Sequence, residues 1–232
     1  MQACSRVSRH RTTVLVVGGG PVGLYASSLL SAFGVPSILV DRTKEGSRSA
    51  HPRAHLINSR SMELLRQLGV EGSIREQMPP MSEWRSFRYC TSLLGQHIAT
   101  QDHMASEAWG NLCSATSSPM AHLSQPKLET ILRAEATRRA GPVGASFLDD
   151  YECVRLDHDD NGVRAELQHL AAAPRMAASS DRLTDDGDTS CAADRLVIEA
   201  DHVLACDGAH SAIRRALGLQ LKGPPPLQAK SS

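Results

Sequence analysis

The residues with the clearest chemical potential in this 232-residue chain carry almost no reactive groups: Gly18, Gly20 and Gly23, spaced as G-x-G-x-x-G, with Asp41 further along. Glycines at this spacing suit the capture of an anion by backbone amides, because the first N–H groups of a helix lack partners and the helix dipole is positive there. Gly18 permits a tight turn, Gly20 lets the backbone approach a pyrophosphate, and Gly23 lets a helix pack closely on a strand. Asp41 closes the apolar run Ile38-Leu39-Val40. It stands about 20 residues beyond the glycines, where a carboxylate can accept hydrogen bonds from an adenosine ribose. The plain alternatives are a ligand-free glycine loop and a solvated acid at a strand end. An acid at that place repels a 2′-phosphate, so the pattern suits FAD or NAD better than NADP.

Positioning such a turn needs a buried strand before it and a helix after it. Val14–Val17 supplies the strand, and Pro21 suits the first helical turn, where its missing N–H is no loss. The spacing predicts a helix through Leu24, Leu29, Leu30 and Phe33 that stops at Gly34, with Pro36 beyond. A second helix is predicted from Asn58, its N-cap, through Met62, Leu64, Leu65 and Leu68 to Gly69. A third opens at Ser124-Gln125-Pro126 and breaks at Gly141-Pro142. Trp84–Tyr89 reads as a strand, and Gln96–Met120 as loop or peripheral sheet. From Ala145 the pattern becomes period two, with a hairpin across Asp159–Gly162 and an antiparallel piece at Leu196–Ile198. His202–Cys206 reads as a buried strand ending at Asp207-Gly208, followed by a helix from Ser211 to Gly218.

Composition narrows the function classes. Lys plus Arg and Asp plus Glu both number 25, so no net field selects for nucleic acid or an anionic membrane. Aromatic residues make up 3%, too few for stacking along a single strand of nucleic acid. No apolar run reaches the ~18 residues of a membrane span. The six cysteines form no C-x-x-C pair, which argues against a zinc site or redox dithiol and fits reduced thiols inside a cell. His51 and His55 are four apart, but Pro52 between them opposes a helical metal face, so no metal site is expected. Arg6, Arg9 and Arg11 precede the first strand without an acid nearby. That stretch reads either as a frayed terminus, which leaves a cytoplasmic location, or as a short mitochondrial transit segment.

Four segments stand in order: the glycine turn with Asp41, His51–Asn58, Leu123–Glu129, and Val203–Arg214 with its Asp207-Gly208 step. Together they resemble the FAD-dependent aromatic-ring hydroxylases, the flavoprotein monooxygenases of the p-hydroxybenzoate and phenol hydroxylase type. The Asp-Gly step followed by Ser211 and Arg214 is the most specific part of the likeness. The resemblance implies an α/β fold: a Rossmann-like FAD-binding domain with a parallel central sheet, a small antiparallel β-meander and an incomplete substrate domain. The FAD-binding domain is expected at residues 12–220, with part of a substrate region at 79–120; the small polar residues 171–194 read as a mobile insertion, 1–11 as disordered or a targeting segment, and 221–232 as a disordered tail.

The resemblance also assigns FAD contacts: Gly18, Gly20, Pro21, Val22 and Gly23 at the turn, then Asp41, Arg42, Arg53, Gln125, Asp207 and Gly208. Arg53 would meet the pyrophosphate, for which a guanidinium fork is well shaped, or stand as a solvated loop cation. Gln125 reads either as a helix-entry residue or as a contact to the ribityl or phosphate region. Asp207 reads as a flavin ligand, as a helix-entry acid, or as both. Arg214 decorates the last helix or lies near phosphates or the reduced nicotinamide.

In the family, NAD(P)H reduces the flavin, and the reduced flavin activates O2 so that one oxygen reaches a small aromatic substrate. No side chain is assigned a catalytic role. Family members continue into most of a substrate domain and a Gly-Asp motif that closes on the riboflavin half, which leads to the expectation of a truncated monooxygenase. The alternatives are a non-catalytic FAD- or nucleotide-binding remnant and, less favoured, an NAD-dependent dehydrogenase. Leu56 stands where many members have glycine. The sequence fixes neither the substrate, the choice between NADH and NADPH, nor the oligomeric state.

Overall fold

Val14-Leu15-Val16-Val17 is apolar without alternation because both faces of its strand are covered. Val14 and Val16 meet Leu24, Leu39 and Leu132 on one side, while Leu15 and Val17 meet Val40, Leu167, Ile198 and Ile213 on the other. A strand buried on both faces belongs inside a parallel sheet. The computed structural model describes residues 8–44, 54–102, 104–105, 107–170 and 195–223. In it β1 spans Ser8–Val17, α1 Pro21–Ala32 and β2 Ser37–Asp41, with β1 and β2 parallel and Val16 opposite Leu39.

The helices α5 (Gln125–Ala140) and α1 cover one face, and β7 (Ser146–Asp149) then runs parallel to β2. Next come β8 (Tyr151–Asp159), β9 (Gly162–His169) and β10 (Arg195–Ala205), and the main sheet has the order β7-β2-β1-β10-β9-β8. β10 pairs antiparallel with β9 over 195–200 and parallel with β1 along its whole length, so one strand joins the parallel core to the meander. Only Asp150 separates β7 from β8, although they stand at opposite ends of the sheet order. One residue spans about 3.3 Å, so the sheet must roll until its ends meet there. Asp150 makes that corner in the left-handed region, with φ 67°.

The remaining elements build out from the carboxyl half of the core. β3 (Leu56–Ile57) pairs with β6 (Ala121–His122), and β4 (Ser86–Cys90) pairs with β5 (His97–Asp102). α2 (Ser59–Gln67) begins at Asn58, whose Oδ1 accepts from Ser61 N at 2.8 Å as the N-cap reading requires. α3 (Glu71–Gln77) and α4 (Glu107–Ala115) follow, and α6 (Ala212–Ala216) starts after its cap Ser211.

The fold class expected from the sequence holds, while several details differ. The first strand starts at Ser8, inside the stretch expected to be disordered, because Ser8–Arg11 pair with Leu196–Glu199. Arg9 and Arg11 therefore lie in a sheet, and Arg11 reaches Asp201 at 3.3 Å on the surface. The segment from Ala145 contains a parallel edge strand before the hairpin. Leu196–Ile198 and His202–Ala205 fall on one strand, with Cys206 just past its end, and its second half is less covered than expected, with Leu204 39% exposed. A 3-10 turn occupies Met81–Trp84, so the strand read from Trp84 begins at Ser86. α4 lies where loop or sheet was expected, and α3 was not anticipated. The expected insertion at 171–194, residues 1–7 and residues 224–232 lie outside the described residues.

α1 buries Gly23, Leu24, Ser27, Ser28 and Ser31, while Phe33, one of the apolar positions of the predicted helix, is 75% exposed. Small side chains let α1 lie close to the sheet and to α5. The Ser28 hydroxyl donates back to Leu24 O at 2.9 Å, a local bond that satisfies it within the helix.

Candidate functional site

Topology collects the marked residues at one edge. α1 leaves the carboxyl end of β1. α5 precedes β7, which is parallel to β2, so α5 also starts at that edge and runs back alongside α1. Asp41 ends β2, Asp149 ends β7 in register with it, and Asp207 follows β10. Ligands of open α/β sheets bind outside the carboxyl ends of their strands.

The glycine turn is clamped from both sides. Gly18 N donates to Val40 O at 2.8 Å, and Cys206 N donates to Val17 O at 2.7 Å. Gly18 has φ 107°, and a Cβ there would lie 2.3 Å from Cys206 O. A Cβ on Gly23 would lie 1.8 Å from Gly18 O, which is rigid backbone. Gly20 differs: nothing stands within 4 Å of where its Cβ would be, so its surface is open. It is the N-cap of α1, has no side-chain cap, and is followed by Pro21 at N1 and by Val22, which is 68% exposed. The positive end of α1 therefore faces open space with no acidic side chain in its first turn.

Asp41 is 6% exposed. Its Oδ2 accepts from Gly19 N at 2.5 Å and its Oδ1 from Thr43 N at 2.7 Å, so the carboxylate shapes the turn itself. Arg42 beside it is exposed. Across the edge, Asp207 Oδ2 accepts from Ala212 N at 2.8 Å and Ile213 N at 3.3 Å, capping α6. Its Oδ1 is buried and has no hydrogen-bond partner. Gly208 follows with φ 87°. Gln125 opens α5, and its Nε2 donates to Glu129 Oε1 at 2.8 Å. Arg53 lies outside the described residues.

Two cysteines border this edge, and neither is primed to react. Burial, and then the Asp207 carboxylate, push the Cys153 thiol up to about 12, and the same two causes raise Cys206. Both stay protonated near neutral pH, so thiolate chemistry is absent there. An ion pair supports the far side of the edge: Arg133 of α5 forms a two-point pair with Asp149 and lies 4.2 Å over the Phe147 ring.

The sequence reading missed two arrangements. Glu129, which is 6% exposed, is one; its signal was the i, i+4 spacing from Gln125 on a predicted helix. The other is a three-ring cluster, His55, Trp84 and His122, in which every pair of centroids lies 4.7 to 5.3 Å apart, and which no spacing rule brings together. Burial, and then the neighbouring His55, lower the His122 pKa from 6.5. The fold therefore prefers neutral His122. Between the unfolded value of about 6.5 and the lower folded one, the unfolded chain binds more protons, so stability falls as pH drops through that window. A protonated imidazole also quenches an indole. In a Trp109→Phe background, Trp84 fluorescence is expected to drop on acidification with a midpoint below 6.5. A midpoint at or above the ordinary histidine value, or the same titration in His122→Phe, would show that the cluster does not hold His122 neutral.

The orphaned Asp207 Oδ1 and the open face of Gly20 are what a nucleotide with hydroxyl donors and a pyrophosphate would meet, so the residues present fit FAD. Comparison with known proteins agrees. Residues 11–231 match the family model described as FAD binding domain. The chain is 33% identical over 217 residues to a 2,4-dichlorophenol 6-monooxygenase of Delftia acidovorans, covering 91% of this chain and 32% of that protein. It is 29% identical over 211 residues to a phenol 2-monooxygenase of a Pseudomonas species, covering 89% and 30%. Among solved structures, the flavin-dependent monooxygenase PieE in complex with FAD and substrate superposes with a TM-score of 0.76 at 26% identity, over 93% of this chain and 33% of that one. The chain belongs to the family described as FAD binding domain, and the relatives it matches are flavin-dependent and phenolic monooxygenases. It spans about a third of the length of the relatives it matches.

Among the described residues no helix is long and apolar enough to cross a membrane.

Proposed function

We propose that this chain is the FAD-holding part of a monooxygenase that hydroxylates small phenolic or related aromatic compounds with O2 and NAD(P)H. The observation that carries the reading is the convergence of the glycine turn, Asp41 and the half-used Asp207 carboxylate on one sheet edge, in a chain whose relatives oxygenate phenols. When bound, the flavin supplies the redox chemistry, passing electrons from NAD(P)H to O2. The chain's own residues bind and orient it. The open Gly20 and the start of α1 receive the pyrophosphate, with Pro21 and Val22 forming the wall beside it. Asp41 holds the turn in shape and presents its carboxylate to the adenosine ribose. Asp207 offers Oδ1 to a hydroxyl of the nucleotide, beside the bare backbone of Gly208. Arg42 and Arg53 add positive charge near the phosphates. The four cysteines among the described residues are free, which suits a reducing intracellular compartment.

The test is titration of the purified chain with FAD, ADP and NAD, followed by flavin fluorescence and competition. Binding of FAD and ADP, with NAD weaker, is expected. Addition of NAD(P)H and a panel of phenols to the FAD-loaded chain is expected to consume the donor with little coupled hydroxylation. FAD binding without any consumption favours a non-catalytic nucleotide holder. Binding of NAD in preference to FAD would overturn the assignment.

A further inference from the structure

Gln125 faces the nucleotide edge with one of two opposite polarities, and its neighbour selects which. We propose that Glu129 is a positioning residue that locks the Gln125 amide so that Oε1, an acceptor, is what the nucleotide meets. Gln125 then takes a hydrogen bond from a hydroxyl of the cofactor's polyol chain and stays away from the pyrophosphate. The inference rests on the FAD-binding reading above and deepens it.

The chemistry of the pair decides the orientation. Glu129 lies one turn below Gln125 on α5 and is 6% exposed, and its Oε1 stands 2.8 Å from Gln125 Nε2. A carboxylate oxygen accepts, so the amide must turn its NH2 group toward it. The carbonyl end then points away from Glu129 and has no hydrogen bond among the described residues. An acceptor at that place is repelled by phosphate oxygens and matched by hydroxyl donors.

The backbone at the start of α5 agrees. An anion site at a helix N-terminus needs free N–H groups. Gln125 N donates to Ala54 O at 2.9 Å and Pro126 has no N–H, so Lys127 alone of the first three positions of α5 keeps its N–H, whereas α1 keeps those of Val22 and Gly23. This end is thus poor in donors, whereas the start of α1, with open Gly20, is the anion end. The two helix starts at the carboxyl edge divide the nucleotide between them: α1 takes charge and α5 takes hydroxyls.

The test compares FAD with ADP, which lacks the polyol. In Glu129→Gln the Gln125 amide is free to turn either way. The FAD dissociation constant is expected to rise about tenfold, a change of about 1.4 kcal/mol, while that of ADP stays within about twofold. Gln125→Ala is expected to show the same split, and the double variant is expected to lose no more than Gln125→Ala alone, as for residues acting as one unit. Should Glu129→Gln fail to fold, Gln125→Ala, at a half-exposed helix start, carries the comparison. Equal weakening of FAD and ADP, unchanged FAD binding, or additive losses in the double variant would overturn the proposal. Failure of the wild-type chain to bind either ADP or FAD would instead remove the nucleotide site, and this proposal with it.

Discussion

Gly20→Ala is expected to leave the fold intact while weakening FAD at least about tenfold, whereas Gly23→Ala is expected to lower both stability and binding. The two positions differ by three residues and by what their missing side chains would strike. At Gly23 the new methyl would stand 1.8 Å from Gly18 O, and that carbonyl cannot move freely because Gly18 N is bonded to Val40 O and Cys206 packs behind. Forcing atoms into a packed site costs about 1–3 kcal/mol, occasionally more. A domain of about 200 residues loses roughly 2–4 °C of Tm per kcal/mol, so a fall of roughly 2–12 °C is expected. At Gly20 the methyl meets nothing within 4 Å, and the backbone is extended at φ −69° and ψ −176°, which alanine adopts readily. The cost there is the weaker N-cap propensity of alanine, about 1 kcal/mol or less. The space the methyl fills is the space a pyrophosphate needs. Thermal melts with and without FAD separate the cases. Unchanged FAD affinity in Gly20→Ala would show that the phosphates do not lie over this turn.

The contrast also marks what the sequence could disclose. The turn, Asp41, the capping of α2 by Asn58 and the 159–162 hairpin are local, and each follows from residue types within a few positions. The spacing of glycines even ranks them, since Gly18 and Gly23 are crowded while Gly20 is open. What escaped depends on distant chain. The apolar spacing of Leu24, Leu29, Leu30 and Phe33 predicted the helix α1, but not that its buried face would consist of Leu24 with Gly23, Ser27, Ser28 and Ser31. The parallel pairing of β7 with β2 and the continuity of β10 follow from the rolled sheet, which is forced by a one-residue corner at Asp150. α3 is seven residues long with Ile74 as its buried residue, too little to print a period. The ring cluster of His55, Trp84 and His122 draws on the residue before β3, a 3-10 turn and β6, which meet only in three dimensions.

Asp207→Asn separates two tasks that the sequence reading left side by side. One oxygen is structural: Oδ2 accepts from Ala212 N and Ile213 N and begins α6. The other is buried without a partner, and a buried acceptor left unsatisfied costs about 1–3 kcal/mol. Asparagine has one oxygen, and the two backbone donors of α6 claim it. Its NH2 group then stands where Oδ1 stood, replacing an anionic acceptor by a neutral donor. The cap survives, so the melting temperature is expected to shift by no more than about 3 °C, close to 1 kcal/mol for a domain of this size. The charge-assisted bond proposed to a nucleotide hydroxyl would not survive, and such bonds contribute about 1.5–3 kcal/mol, so FAD affinity is expected to fall about tenfold or more. Asp207→Ala removes both tasks, and the lost cap adds about 1–2 kcal/mol of destabilisation. If Asp207→Asn binds FAD as tightly as the wild-type chain, capping is the whole of what Asp207 does. If instead affinity falls while the melt holds, the spare oxygen belongs to the cofactor, and its cost to the apo fold is what binding recovers.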